Sequence, residues 1–404
     1  MSPRTKKRKT ASLQGLLLTP DREVGLDQDC VGAFEDVSNS EKGLLQLPVE
    51  LWTEIFDNFL DITPFTRAPH RPPVLPKIYL ERTDVLRALS QVSVAYRRAF
   101  LPFVWTTFNV CCEAHHSSGV KSSHLFNNPA LEASSAFKHV GGTLIRKCDG
   151  LFANPDLRPY IRTVNVVFTR YRSAMVIPRF PVLLQSLPNL RTLHILHADY
   201  EMLDVLEDSL KDVLLPTVRT LIVQGSCHNI LKCCPNVTTV WCISNDHNDN
   251  RKLVPFIQLY CKLVEELRGF SWDETSIKDI IEAAPNLRAL DMCVEESQIV
   301  LNHLASFKDL NTITIKTSTW TEKYPALMEA LQKCVRDTKT QFEDLPTAKE
   351  RRYIHVIYDD KDRRSSWNLS PDARLDECIA YRHTVKYGNI SRILTWSGAM
   401  VSEP

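Results

Sequence analysis

The sequence predicts an α/β protein in which a short helical module precedes an array of repeated strands. Two observations predict this fold class. Apolar residues recur at helical spacing in three short segments between residues 44 and 101. After residue 155, three apolar positions, separated first by two residues and then by one, recur seven times. The predicted divisions are a disordered tail at 1–43, a helical module at 44–110, a linker at 111–155 and the strand array at 156–404.

The composition limits the possible partners. Hydrophobic residues make up 44% of the 404 positions, which is enough for a sizeable core. Lys and Arg number 49 against 48 Asp and Glu, so the net charge of +1 provides no overall field for nucleic acid or a membrane surface. No secretory signal pattern follows the charged first ten residues. We therefore expect a protein of the nucleus or cytoplasm, with its 12 cysteines mostly reduced.

The first 43 residues begin with a basic run, Lys6-Lys7-Arg8-Lys9, and continue without a sustained apolar period. A short basic cluster of this kind is typical of a nuclear localisation signal. A charged, solvated terminus without a targeting role is the alternative interpretation.

The helical module should contain three short helices. Pro48 suits the first position of a helix that carries an apolar stripe through Phe59. Five prolines predict an irregular loop at 61–82, and Thr83 or Asp84 is expected to begin the second helix. Ser93 can cap a third helix that Pro102 should disturb near its end. A short strand is predicted at Phe108–Val110.

Three sequence blocks in this module occur in a distinctive order: Leu47-Pro48-x-Glu50-Leu51-x-x-x-Ile55-Phe56, Leu89-Ser90-x-Val92-Ser93-x-x-Tyr96-Arg97 and Phe100-Leu101-Pro102-x-x-Trp105. In this order they resemble the F-box motif, in the style of fungal F-box proteins. The chain departs from the family pattern in its long insertion at 61–82 and in Tyr96, where many members carry Trp.

The resemblance implies that the module binds the Skp-family adaptor of a Skp–cullin–F-box ubiquitin ligase, and cullin through that adaptor. Leu47 and Pro48 would dock first. Apolar contact with the adaptor, or the local core, would come from Leu51, Ile55, Phe56, Leu89, Val92 and Tyr96. The alternative is a three-helix cap that packs only against its own chain.

The repeated pattern begins at Ile161, Leu190, Val218, Val237, Leu267, Leu287 and Leu310. These positions are 29, 28, 19, 30, 20 and 23 residues apart, a period typical of leucine-rich repeats. Such units bury their apolar sides by stacking, which predicts a curved solenoid. Residues 353–357 would add a strand, and a helix at 372–387 would cap the array. An unrelated α/β domain whose strands share a proline-led turn is the alternative.

One residue per strand should face outward, between the apolar positions. These candidate target-binding residues are Asn165, His194, Ile222, Trp241, Ser271, Asp291 and Thr314. Trp241 is the strongest candidate anchor, unless a neighbouring loop covers it. Arginine recurs at a second template position, at Arg162, Arg191, Arg219, Arg268 and Arg288. These arginines would bind an acidic or phosphorylated target, or form a solvated edge.

No phosphate-binding or hydrolase motif occurs, so we predict no catalytic residue, cofactor or metal. The resemblance to F-box proteins implies a non-catalytic substrate receptor for ubiquitin-dependent degradation, whose repeats would bind an unknown protein target. A second hypothesis is an F-box scaffold in nuclear or transcriptional regulation, outside any ligase. A third is a metalloenzyme that uses the cluster Cys111-Cys112-Glu113-Ala114-His115-His116, although this segment has no Cys-x-x-Cys pair.

Overall fold

The structure is a computed structural model that describes residues 47–63, 74–112, 129–243, 249–318, 325–344, 353–359 and 396–397. Among these described residues, those up to Leu51 belong to one unit and those from Trp52 onward belong to a second. Helices and strands alternate through the second unit, which confirms the α/β class. The basic run and the predicted cap at 372–387 lie outside the described residues.

Three short helices precede the sheet: α1 (Val49–Asp57), α2 (Glu81–Leu89) and α3 (Val94–Trp105). Helix α2 begins earlier than predicted, and a 3₁₀ turn at Lys77–Leu80 leads into it. The predicted cap of α3 is confirmed, because Ser93 Oγ accepts a hydrogen bond from the Tyr96 backbone N–H at 3.3 Å.

Helix α3 was predicted to end before Pro102, but it continues to Trp105. Pro102 has no backbone N–H to donate, and tertiary packing compensates for the free energy of the missing helical hydrogen bond. The Phe103 ring lies 6.0 Å from Phe56 and 6.5 Å from Phe100, and the Trp52 ring meets Phe100 edge-on at 4.7 Å. These aromatic contacts require the helical turn beyond the proline.

The remaining helices are α4 (Pro129–Ala153), α5 (Ser173–Gln185), α6 (Leu203–Leu210), α7 (Asp249–Tyr260), α8 (Ser276–Ala283), α9 (Ser297–Asn302) and α10 (Pro325–Asp344). Helix α4 differs from the linker predicted at 111–155. Its buried residues Val140, Leu144 and Leu151 recur at helical spacing and join the main core. Burial of this apolar stripe stabilises the helix, although polar residues and glycines surround it in the sequence.

The strands are β1 (Thr107–Val110), β2 (Thr163–Phe168), β3 (Thr192–Ala198), β4 (Thr220–Val223), β5 (Thr239–Cys242), β6 (Glu266–Arg268), β7 (Ala289–Cys293), β8 (Thr312–Ser318), β9 (Tyr353–Asp359) and β10 (Trp396–Ser397). They form one sheet in strict chain order. Strands β1 to β9 are parallel, and β10 is antiparallel to β9. The predicted strands at 108–110 and 353–357 are confirmed.

A backbone hydrogen-bond ladder links the turns that precede successive strands. The Arg162 carbonyl accepts the N–H groups of Arg191 and Thr192 at 2.8 and 3.0 Å, and the Arg191 carbonyl accepts those of Arg219 and Thr220 at the same distances. The same double acceptance recurs at the carbonyls of Thr106, Arg219, Thr238, Glu265 and Arg288. The ladder therefore aligns the start of every strand from β2 to β8 with the strand before it.

Asparagine side chains make a second repeated link, at the Pro-Asn sequences that precede β3, β5 and β7. Nδ2 of Asn189 donates to the Pro159 carbonyl at 2.7 Å, and Nδ2 of Asn236 donates to the Pro216 carbonyl at 2.9 Å. Asn286 makes the equivalent bond to the Lys262 carbonyl at 3.2 Å. Each amide satisfies a carbonyl of the preceding unit, so the proline-led turn also joins neighbouring units.

The apolar positions of the repeat line a continuous core on one face of the sheet. The residues at the central apolar position are all fully buried: Val164, Leu193, Leu221, Val240, Leu267, Leu290, Ile313 and Ile354. Burial of each such side chain contributes about 1.5–3 kcal/mol to folding. No helix among the described residues has the length and apolar character needed to cross a bilayer.

Candidate protein-binding face of the sheet

The predicted target-binding residues lie side by side across the other face of the sheet. Strand pairing aligns Asn165 with His194, His194 with Ile222, and Ile222 with Trp241. Asp291 is aligned with Thr314 further along. Each residue lies between two core-facing positions, so the sequence alternation places it on the outer face. Three members of this column were not predicted: Asn109, aligned with Asn165, His355, aligned with Thr314, and Arg268, aligned with Trp241.

One predicted residue, Ser271, does not belong to the column. Strand β6 aligns Leu267 with Val240 and Arg268 with Trp241. The repeat therefore begins at buried Val264, not at Leu267 as predicted, and Arg268 occupies the outward position. The repeat was misplaced because Leu267, Phe270 and Trp272 have the apolar spacing of the repeat, but begin three residues further along the chain than Val264. The same correction removes Arg268 from the predicted arginine column, where Glu265 takes its place.

Most of the outer column is buried. Asn165, His194, Ile222, Asp291 and Thr314 are each at most 2% exposed, whereas Trp241, Arg268 and His355 keep intermediate exposure. Strands about 4.8 Å apart hold neighbouring side chains in contact. Asn165 Nδ2, for example, donates to Asn109 Oδ1 at 2.8 Å. Asn109 on β1 also keeps intermediate exposure, so the accessible part of the column lies at its centre and at its two ends, β1 and β9.

Arg268 organises the accessible centre of the face. Its Nε donates to Glu266 Oε1 at 2.6 Å, and its Nη1 donates to Thr314 Oγ1. The guanidinium carbon lies 5.9 Å from the centre of the Trp241 ring, within cation–π range. Thr239 Oγ1 donates to the second carboxylate oxygen of Glu266 at 3.2 Å. These contacts hold the arginine in a fixed orientation beside the indole.

A second charged pair lies next to this centre. Lys316 Nζ forms an ion pair with Asp291 Oδ2, and the Gly269 N–H donates to Asp291 Oδ1 at 2.8 Å. Trp272 Nε1 donates to the Asp291 carbonyl at 2.6 Å. Predicted residue Ser271 instead donates its hydroxyl to Glu296 Oε1 at 3.0 Å. The charges of Asp291 and Lys316 are therefore compensated within the face.

Two histidines of the column are held in the neutral form. Burial lowers the pKa of His194 to about 3, and its Nε2 has no hydrogen-bond partner in the described structure. Burial, and then the positive charge of Arg268, lower the pKa of His355. Neither ring carries a positive charge at neutral pH, because each pKa lies below the ordinary value for histidine.

The predicted adaptor residues divide by exposure. Phe56 is fully buried, and Leu47, Leu89 and Tyr96 are half-buried. Pro48, Leu51, Ile55 and Val92 are exposed. The Phe56 ring stacks on Trp52 at 5.5 Å, with its plane tilted by 18°. Phe56 thus belongs to the local core, whereas Ile55 and Val92 present their side chains to solvent.

The cysteines among the described residues are mostly buried thiols, Cys111 and Cys112 of the proposed metal cluster included. Burial raises the pKa of Cys148 and Cys261 to about 12 and that of Cys233 to about 11. Cys111 and Cys112 lie 3.8 Å apart at sulfur, and burial raises the pKa of Cys111. Such thiols ionise poorly and are weak nucleophiles or ligands. Within the described ranges, no three His, Cys, Asp or Glu side chains are grouped to hold a metal ion.

Comparisons with known proteins add little. No protein-family model and no curated protein matches this sequence. Among solved structures, a Bacteroides fragilis protein determined as a structural genomics target is similar at 13% identity, with a TM-score of 0.29. The similarity covers 51% of this chain and 70% of the other. At that TM-score it supports no argument about function.

Proposed function

We propose that this protein is the substrate receptor of a Skp–cullin–F-box ubiquitin ligase. The helical module would bind a Skp-family adaptor, and the outer face of the sheet would hold a protein target. The mechanism is proximity: tethering raises the concentration of the target near the conjugating enzyme, so no residue of this chain performs bond chemistry. In this proposal the strand units stack as a curved leucine-rich-repeat solenoid.

The observation that carries the proposal is a group of exposed apolar side chains on the short helices and the turn between them. Val92 is 65% exposed and Val94 is 68% exposed, and Ile55 and Val85 are also exposed. The module already has its own aromatic core of Trp52, Phe56 and Phe100. The core does not need these four side chains, so they can contact a partner, and a partner would remove their apolar surface from water.

The motif and the exposure agree for part of the proposed contact. The F-box resemblance assigns Ile55, Phe56 and Val92 to adaptor contact or to the local core; Ile55 and Val92 are exposed, whereas Phe56 is not. We therefore assign adaptor contact to Ile55 and Val92, and assign a core role to Phe56. Leu47, Pro48 and Leu51 remain proposed docking residues on the strength of the motif alone.

On the target side, Trp241 and His355 are the proposed contacts. Both lie on the outer face and keep partial exposure, and Arg268 orients the Trp241 ring. An immobilised indole at the centre of a sheet face is a suitable anchor for a protein partner.

The test is a pull-down of the full chain by a purified Skp-family adaptor. Val92→Asp should abolish capture, because a carboxylate would be desolvated in an apolar contact. Val182→Asp is the matched control: Val182 is 55% exposed but lies on α5. The double variant Leu47→Ala and Pro48→Ala tests the motif residues separately.

Two results would overturn the proposal. The first is failure of the folded wild-type chain to bind the adaptor. The second is equal loss of binding in Val92→Asp and Val182→Asp, since this would make the contact nonspecific. If adaptor binding is confirmed but its loss changes no protein's half-life, the chain is a scaffold outside the ligase.

A further inference from the structure

Three exposed arginines form a row at the amino-terminal ends of strands β2, β3 and β4. We call Arg162, Arg191 and Arg219 the arginine row. The Arg191 N–H donates to the Arg162 carbonyl, and the Arg219 N–H donates to the Arg191 carbonyl, both at 2.8 Å. Each arginine is therefore the direct backbone neighbour of the next.

This spacing concentrates positive charge. Adjacent strands lie about 4.8 Å apart, so the three residues begin from backbone positions well within one Debye length of about 8 Å. Like charges on directly neighbouring strand positions are unfavourable. The backbone ladder prevents the three residues from separating, so the repulsion persists unless an anion is present.

Within the part of the chain that the structure describes, no acidic side chain pairs with the row. None of the ion pairs among the described residues includes Arg162, Arg191 or Arg219. The Arg219 side chain donates to a neutral group, the Asn236 carbonyl, at 2.9 Å. The sequence around the row is uncharged as well: the three arginines follow Pro-Tyr-Ile, Pro-Asn-Leu and Pro-Thr-Val.

Arg288 occupies the same position in the ladder, but its neighbour on one side is an acidic residue. It is also exposed, but its N–H donates to the carbonyl of Glu265, so its neighbour in the ladder is acidic. On its other side, the N–H of Asn311 donates to the Arg288 carbonyl. The excess of positive charge is thus confined to the β2–β4 end of the ladder.

We propose that the arginine row binds an acidic segment of the target protein. Guanidinium groups bind carboxylates through paired N–H donors, so three of them in line suit clustered Asp and Glu side chains. Nucleic acid is a poorer fit, because its binding commonly involves roughly six to ten phosphate contacts and this chain has a net charge of +1. The inference rests on the proposed receptor function and adds the chemical class of the target.

The test uses the full chain and a fluorescein-labelled oligo-glutamate peptide, followed by fluorescence anisotropy. We expect the triple variant Arg162→Gln, Arg191→Gln and Arg219→Gln to bind at least about tenfold more weakly than the wild type. Arg288→Gln, a single exposed arginine beside an acid, should leave binding unchanged. Replacement of all three row residues by Lys should retain part of the binding, because charge remains but the paired donors are lost.

Three outcomes would overturn the inference. The first is no peptide binding by the folded wild-type chain, and the second is an equal loss of peptide binding in Arg288→Gln and in the triple variant. The third is displacement of the labelled peptide by a single-stranded oligonucleotide at a lower concentration than the unlabelled peptide requires. The adaptor pull-down is performed on the same preparations. Intact adaptor binding with no peptide binding rejects only the acidic target, whereas loss of adaptor binding rejects the ligase proposal.

Discussion

The Gly269 backbone N–H donates to the Asp291 carboxylate at 2.8 Å, which joins the end of β6 to the outer face of β7. Gly269 adopts a positive φ of 69°. A Cβ atom at this position would lie 2.2 Å from the Cys242 carbonyl oxygen. The residue thus combines a left-handed conformation, close backbone packing and a charge-assisted hydrogen bond, and only glycine allows all three.

We predict that Gly269→Ala destabilises the protein by about 3 kcal/mol or more, because the conformation is strained and the added methyl group displaces the β5 backbone. The control is Gly150→Ala in helix α4, where an added Cβ meets nothing within 4 Å. That change should stabilise the protein by about 0.5–1 kcal/mol through the higher helix propensity of alanine. Urea denaturation measures both, and effects of the same sign would contradict the prediction.

The aromatic core of the helical module can be tested independently. Phe56→Ala should lower the free energy of unfolding by about 3–5 kcal/mol, since it removes a fully buried ring packed against Trp52 and Phe100. Ile55→Ala, on the exposed side of the same helix, should change it by less than about 1 kcal/mol. Comparable destabilisation by the two substitutions would mean that Ile55 is also part of the core.

The inter-unit asparagine bonds should contribute separately to stability. Asn189→Ala and Asn236→Ala each remove one bond to the carbonyl of a preceding unit, at 2.7 and 2.9 Å. Each should cost about 1 kcal/mol. Because the two bonds join different pairs of units, the double variant should show the sum. Thermal denaturation tests this, and a double variant no less stable than either single one would argue against separate contributions.

His194 should make stability depend on pH. Its folded pKa of about 3 lies below the unfolded value of about 6.5, so the unfolded chain binds more protons between these values. Stability should therefore fall as pH decreases below 6.5, by about 2 kcal/mol at pH 5 from this residue. His194→Leu should remove that component and leave no unpaired ring nitrogen. Identical pH profiles for the wild type and the variant, measured by urea unfolding, would reject this assignment.

Sequence analysis predicted the strand array well because its signal is repeated. The apolar positions beginning at Ile161, Leu190, Val218 and Val237 all lead into observed strands, and proline-led turns mark several of them. At β6 the predicted register was wrong. No Pro-Asn turn precedes Val264, and Leu267 and Phe270 reproduce the apolar spacing of the repeat. Only strand pairing distinguishes the two registers, and pairing depends on the neighbouring units.

The helices and the face were less predictable. Helix α4 was missed because Gly141, Gly142 and several serines obscure its apolar stripe. Helix α3 passes Pro102 because distant aromatic rings stabilise its last turn. The outer column was located correctly except at Ser271, but its burial depends on side chains from neighbouring units. Tertiary contacts of this kind cannot be predicted from the local sequence.

The strict chain order of the sheet also has a genetic consequence. Each strand from β2 to β8 pairs only with its predecessor and its successor, so no strand requires a partner from a distant part of the gene. An in-frame duplication or deletion of one strand unit would preserve every other pairing. The number of side chains across the outer face can therefore change by unequal recombination, and one such event lengthens or shortens the face by one strand.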